Sequence, residues 1–453
     1  MLKKQGLLLW LLLVAGATGF SQPRKIEFTE YDLPNGLHVI LHKDNTTPIV
    51  AVTVLYHVGS KNENPNRTGF AHFFEHLLFE GSENIKRGEF DKYLQNAGAT
   101  NNANTSNDRT FYYEVLPSNQ LELGLWMESE RMLHAKIEPV GVETQREVVK
   151  EEKRQRIDNQ PYMSFQSEIF KRAYTVHPYR WTPIGSMDDL NAASLEEFIE
   201  FYKTFYVPNN ATLSIAGDID IEQTKAMVAK YFQDIPKGTK PVPRPTVVEP
   251  QQTAEVRDVI FDNIQLPAVF QAYHIPAQGT PDSYALDMLS TLLSGGQSSR
   301  MYKALVDEQK KALQVASFPF SLEDPGLYIT LGLVNMGVDV ADLEKAMDAE
   351  VAKVQNELIS EKEFQKIRNQ MESQFVQQNA STVGIAEQLA NYHVYYKDAN
   401  LINTELERYM KVTREDLQRV AKKYLTKENR VVLHYLPKSA QSKPENTQIK
   451  KDN

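Results

Sequence analysis

Thr47-Pro48-Ile49-Val50-Ala51-Val52-Thr53-Val54-Leu55-Tyr56-His57-Val58 is the stretch from which the fold can be read. After the proline comes a run of β-branched and aliphatic residues, the composition of a buried strand. Its echo lies in the second half of the chain, where Leu266-Pro267-Ala268-Val269 leads to Tyr273-His274-Ile275. The two prolines are 219 residues apart and the two tyrosines 217. A second match closes each half. Ser194-Leu195-Glu196-Glu197-Phe198 opens a helix that reaches Phe205-Tyr206, then Asn209 and a strand from Ala211. Thr413-Arg414-Glu415-Asp416-Leu417 opens one that reaches Tyr424-Leu425, then Asn429 and a strand from Arg430. In both, a hydroxyl residue precedes an acid by three, the pattern of a helix N-terminus. Two matches at nearly one offset indicate internal duplication.

Each half combines β-rich segments, such as 49–57 and 109–116, with amphipathic helices such as 121–132. The expected fold is α+β: two homologous domains, each an antiparallel sheet flanked by helices on one side. Residues 236–254 hold Pro236, Pro241, Pro243, Pro245 and Pro250, too many for a helix or a central strand. They read as a linker between a 22–235 domain and a 255–437 domain, with a polar tail over 438–453.

The opening residues, 1–21, read as a secretory signal: Lys3 and Lys4, a short apolar run from Leu7 to Val14, then Ala17, Gly19 and Ser21. An uncleaved anchor is the alternative. The expected mature protein is exported and periplasmic, with no stable membrane span. The 453 residues are 41% hydrophobic and 24% charged, as in globular proteins, and the formal charge is −9. Such a balance argues against a general nucleic-acid binder. The absence of cysteine excludes disulfides, thiolate metal sites and a catalytic thiol. Any metal must be held by His, Asp or Glu.

The chemistry centres on His72-Phe73-Phe74-Glu75-His76, with apolar Leu77 and Leu78 following. On a buried helix, positions 72 and 76 share a face one turn apart, ~5–6 Å between Cβ atoms. Two neutral imidazoles so placed can hold one Zn²⁺, and Glu75 can reach a water beside the ion without ligating it. This is the inverted H-x-x-E-H order of the zincin motif. Two histidines satisfied by hydrogen bonds are the bland alternative. A third ligand is required, and the acid-rich helix over 143–156 offers Glu143, Glu147, Glu151 and Glu152. With Val148 and Val149 marking its buried stripe, helical phase favours Glu152. Glu147 and Glu151 fit a solvated, salt-bridged face.

The H-x-x-E-H helix, the Gln145-Arg146-Glu147-Val148-Val149-Lys150-Glu151-Glu152 helix and the paired halves resemble the pitrilysin/insulinase zinc metallopeptidases. The likeness is to the group with two-domain subunits, which includes bacterial enzymes and mitochondrial processing peptidase. It spans residues 24–437. The resemblance implies one zinc per chain on His72, His76 and Glu152, with Glu75 as general base in the hydrolysis of peptides or unfolded segments. It implies two facing halves that enclose a chamber. Family members often carry a glutamate at the position held here by Gln145. Gly98-Ala99-Thr100-Asn101-Asn102-Ala103-Asn104-Thr105 matches the family's exposed edge strand, which makes Asn102 and Ala103 substrate-binding candidates. An unpaired edge offers backbone donors and acceptors to an extended peptide.

The second half lacks a site of its own, since Leu289, Leu292 and Leu293 stand at the equivalents of 72, 75 and 76. The arginine and tyrosine that this half supplies in the family correspond here to Val306 and Leu313. The resemblance therefore implies a partner, a homologous zinc-less chain in a heterodimer or other oligomer that completes the site. A catalytically silent structural or peptide-binding subunit is the alternative, and a hydrolase of another class a third reading. Tyr179, Arg180 and Trp181 read as a structural turn before Pro183.

Overall fold

The computed structural model describes residues 25–441; the expected signal segment and residues 442–453 of the expected tail lie outside them. Eleven strands are described: β1 (Thr29–Asp32), β2 (His38–Lys43), β3 (Ile49–Tyr56), β4 (Thr100–Thr105), β5 (Thr110–Pro117), β6 (Ala211–Gly217), β7 (Val256–Asp262), β8 (Ala268–His274), β9 (Ala312–Phe320), β10 (Leu327–Val334) and β11 (Arg430–Pro437). They form a six-stranded sheet, β1-β2-β6-β3-β5-β4, and a five-stranded sheet, β7-β11-β8-β10-β9. Apart from β1, the strand orders correspond one to one, as duplication requires. Both sheets are antiparallel except for one parallel pairing each, β2 with β6 and β7 with β11. The equivalent helices Leu195–Phe205 and Arg414–Tyr424 both begin in capping boxes, on Ser194 with Glu197 and on Thr413 with Asp416.

The sequence reading put helices on one side of each sheet; the structure covers both. In β3, Val50, Val52, Val54 and Tyr56 pack into the core of the N-terminal half. Ala51 and Leu55 face the other way, against Ile385, Ala386, Leu389 and Ala390 of the Thr382–Asn391 helix. That helix belongs to the C-terminal half. The reciprocal arrangement holds in the second sheet. Ala268, Phe270 and Ala272 of β8 pack on Ile169 and Phe170 of the Phe165–Ala173 helix, which belongs to the N-terminal half. The two helices begin 217 residues apart. Each half thus lends the same helix to the back of the other's sheet. This is why the central strands read as continuous apolar runs rather than alternating ones.

The proline-rich segment is irregular and strapped down on the N-terminal half. The Glu249 carboxylate accepts from the Thr175, Val176 and His177 amides. Arg244 donates to the His57 carbonyl and to Asn210. Tyr179 sits in a 3₁₀ turn, and the Trp181 indole donates to the Ser60 carbonyl at 2.8 Å. Among the described residues, no helix is long and apolar enough to cross a membrane.

Candidate metal centre

The Phe70–Leu77 helix presents His72 and His76 on one side, while Phe73, Phe74 and Leu77 are buried in the core. Its start is fixed by two features. Gly69 has φ +93°, a left-handed backbone, and a Cβ there would lie 3.0 Å from the Ile184 carbonyl oxygen. The buried Glu63 carboxylate accepts from the Gly69 and Ala71 amides at 2.9 and 2.8 Å. It caps N–H groups that a helix N-terminus otherwise leaves unpaired. Burial pushes the Glu63 carboxyl up to about 8, against those two bonds.

The Pro139–Lys153 helix packs against this one and brings Glu152 to it. Val149 is buried, but Val148 is 44% exposed, so the stripe that orients Glu152 runs through Val149, one turn before it, and not through Val148. Glu152 Oε2 lies 3.4 Å from His72 Nε2 and 3.2 Å from His76 Nε2. Bonds of ~2.0–2.1 Å to a tetrahedral ion put neighbouring ligand atoms ~3.4 Å apart. Glu152 Oε2 is also buried without a hydrogen-bond partner. A carboxylate oxygen facing two imidazoles at that spacing fits a divalent cation. Glu147 and Glu151 are exposed and paired with Lys150 and Arg154.

The electrostatics agree with the geometry. Burial and the neighbouring His76 lower the His72 imidazole to about 4, which leaves it neutral and able to ligate. The facing His76, with His72 and Arg156 beside it, holds Glu152 below the usual carboxylate range despite its burial. Burial raises Glu75, and the Thr105 hydroxyl opposes this by donating to Glu75 Oε2 at 2.6 Å.

Thr105 was given no role in the sequence reading, although alternation along β4 places it on the same face as Ala103. Arg156 forms an ion pair with Glu152, its Nη1 lying 2.7 Å from Oε1. Glu63 carried no sequence signal, because its partners are backbone groups. Gln145 donates to Glu80 Oε1 at 2.5 Å and makes no bond to His72, His76, Glu75 or Glu152.

Asn102 and Ala103 lie on β4, which among the described strands is outermost in its sheet and pairs with β5 alone. The Ala103 amide donates to Asn102 Oδ1 at 2.9 Å. In the C-terminal half, Val306 packs against that half's core and Leu313 is an exposed residue near the start of β9. Arg300 is tied to Glu363 by two bonds of 2.9 and 3.0 Å. Every polar contact of the four-residue cluster described here comes from the N-terminal half.

Fold and donor set together define a duplicated chain whose first half carries a His-His-Glu metal cluster. Residues 38–182 match the family described as insulinase (peptidase family M16), and residues 192–371 match the peptidase M16 inactive domain. This chain belongs to the M16 insulinase family. It is 32% identical over 417 residues to the zinc protease PqqE of Helicobacter pylori, covering 91% of this chain and 94% of that one. It is 24% identical over 406 residues to a probable mitochondrial-processing peptidase subunit beta of Arabidopsis thaliana, covering 87% and 75%. The crystal structure of a protease from Helicobacter pylori superposes with a TM-score of 0.87 at 31% identity, over 91% of this chain and all of that one. The periplasmic protease PqqL of Escherichia coli superposes with 0.75 at 20% identity, over 92% of this chain and 48% of PqqL.

Proposed function

We propose that this chain is a zinc metalloendopeptidase that hydrolyses peptides or unfolded segments. One zinc in this site is held by His72, His76 and Glu152. The observation that carries the reading is the convergence of one buried, unpartnered carboxylate oxygen on two imidazole nitrogens at tetrahedral spacing. Zinc held there by His72, His76 and Glu152 would supply Lewis acidity toward water and the scissile carbonyl. Glu75 accepts the water proton and returns it to the leaving amine. Thr105 holds the Glu75 carboxylate in place through its 2.6 Å bond. The free edge of β4 at Asn102 and Ala103 receives the substrate backbone as an added strand, with the Asn102 side chain swinging off the Ala103 amide. The chain acts as an exported, periplasmic protein after removal of residues 1–21.

The site is completed by a homologous zinc-less partner chain. Two observations support this. The positions that would carry the arginine and tyrosine are Val306 and Leu313, and PqqL is about twice the length matched here. The missing pair also favours the second reading, a silent subunit, which the intact four-residue cluster opposes.

The test is Glu75→Gln. The variant should retain zinc and lose cleavage of an unfolded-peptide library; turnover at the wild-type rate would remove Glu75 from its role. Full activity from a pure monomer would overturn the partner.

A further inference from the structure

A second cluster lies away from the peptidase site, where the first strand pair meets the C-terminal half. Asp32 and His38 are directly opposed in the β1–β2 ladder, and Glu30 precedes Asp32 by two. Side chains two apart on a strand, and those directly opposite, share a face. Glu30, Asp32 and His38 therefore share one face with Ile40, which packs against the Thr382–Asn391 helix. That helix runs straight into the Tyr392–Tyr396 turn, which lays the His393 ring on His38 with centroids 3.4 Å apart and planes 6° from parallel.

The hydrogen bonding leaves one nitrogen unexplained. Asp32 Oδ1 lies 2.7 Å from His38 Nδ1 and so fixes the proton there. His38 Nε2 is buried and has no hydrogen-bond partner. It faces Glu30 Oε2 at 3.4 Å. A cation held between these two atoms would bridge them. The separation equals the ligand–ligand spacing of a tetrahedral ion with ~2.0–2.1 Å bonds, the same spacing found in the peptidase site. A carboxylate on the far nitrogen of an imidazole is the usual outer support of a metal-ligating histidine. A ring nitrogen of His393 completes a set of three donor atoms, all within 4.8 Å of one another.

We propose that Glu30, His38 and His393 form a second divalent-cation site, suited to zinc, that clips the first strand pair to the C-terminal half. Asp32 orients His38, and the exposed side of Glu30 leaves a position for water. Joint coordination requires the His393 ring to turn out of the parallel stack, in which the in-plane lone pairs of the two rings do not converge. The clip lies beside a second tie between the same parts, where Asn403 exchanges two hydrogen bonds with the Ile26 backbone at 2.8 and 3.0 Å. The site is independent of the peptidase reading and raises the expected zinc content from one per chain to two.

The test is zinc content of the full chain after equilibration with buffered Zn²⁺, measured by mass spectrometry. Wild type should hold about two equivalents, and His393→Ala and His76→Ala about one each. Glu30→Gln, a change at an exposed side chain that the fold tolerates, should also hold about one. Zinc should raise the melting temperature of His76→Ala, and Glu30→Gln in that background should abolish the rise. A wild-type content near one equivalent, or an unchanged content in both His393→Ala and Glu30→Gln, overturns the proposal.

Discussion

Replacing Lys61 by Met tests whether a buried ion cluster joins the two halves of this chain. The Lys61 ammonium is 4% exposed and lies 2.9 Å from Asp108, 2.5 Å from Glu323 and 3.3 Å from Asp324. Asp108 belongs to the N-terminal half and the two other acids to the loop before β10. Burial works against the ammonium, but Asp108 and Glu323 outweigh it and raise its pKa above the ordinary lysine value. Met preserves the stem and removes only the charge. At an effective dielectric of ~20, one contact at such a distance is worth about 6 kcal/mol before desolvation is subtracted. Removing one partner of a buried pair costs ~3–5 kcal/mol, because the remaining charge is left unpaired. The acids keep some partners here. Asp108 retains the Tyr179 hydroxyl at 2.6 Å and the Glu323 amide at 3.0 Å, and Glu323 retains His57 at 2.8 Å. The loss should therefore fall at the low end, about 3 kcal/mol. Equilibrium urea unfolding at neutral pH measures it, with Trp181 as a probe bonded to the residue beside Lys61. The pH dependence gives a second reading. Burial favours a neutral Glu323, but the bonds from His57 and Lys61 hold its carboxyl down at about 2. A depressed carboxylate stabilises the fold above its unfolded pKa, and the contribution is lost as pH falls from ~4.5 towards 2. Lys61→Met should flatten that acid limb. A change below ~1 kcal/mol, with an unaltered acid limb, would show that the cluster is not what holds the halves together.

Thr105→Val removes a bond to a carboxylate worth ~1.5–3 kcal/mol, so kcat/KM should fall ~10–100-fold with zinc content intact; loss of zinc instead would make Thr105 a structural residue. Burial raises the Asp287 carboxyl from 3.8 to about 7, and the Tyr409 hydroxyl opposes the shift. A raised carboxyl stabilises the fold below its unfolded pKa, and that contribution fades as pH rises through 7. Asp287→Asn should therefore gain on the order of 4 kcal/mol relative to wild type at pH 8, and little at pH 4. Thermal melts across that range decide the point, and parallel curves would contradict it. Chelation should abolish peptide cleavage, and added zinc should restore it.

Much of the molecule was legible in order along the chain. The duplication, the paired helix caps and the spacing of His72, Glu75 and His76 are local patterns, and local patterns survive without coordinates. Val148 was misplaced because its neighbour Val149 alone meets the core; a helix of charged residues carries too little apolar contrast to fix its phase. The exchanged helices could not be read, since nothing in an apolar helix names the sheet it will cover.

Sequence by itself determined the repeated α+β units, the donor types and the lack of a second H-x-x-E-H helix, because each depends on residue identity and helical or strand period. Tertiary structure alone decided that Glu152 meets both imidazoles, that Thr105 holds Glu75, and that each half covers the other's sheet. It also set His393 on His38, 355 positions away along the chain. Such contacts follow from how apolar faces pair in space, and chain order does not encode that pairing in any short pattern.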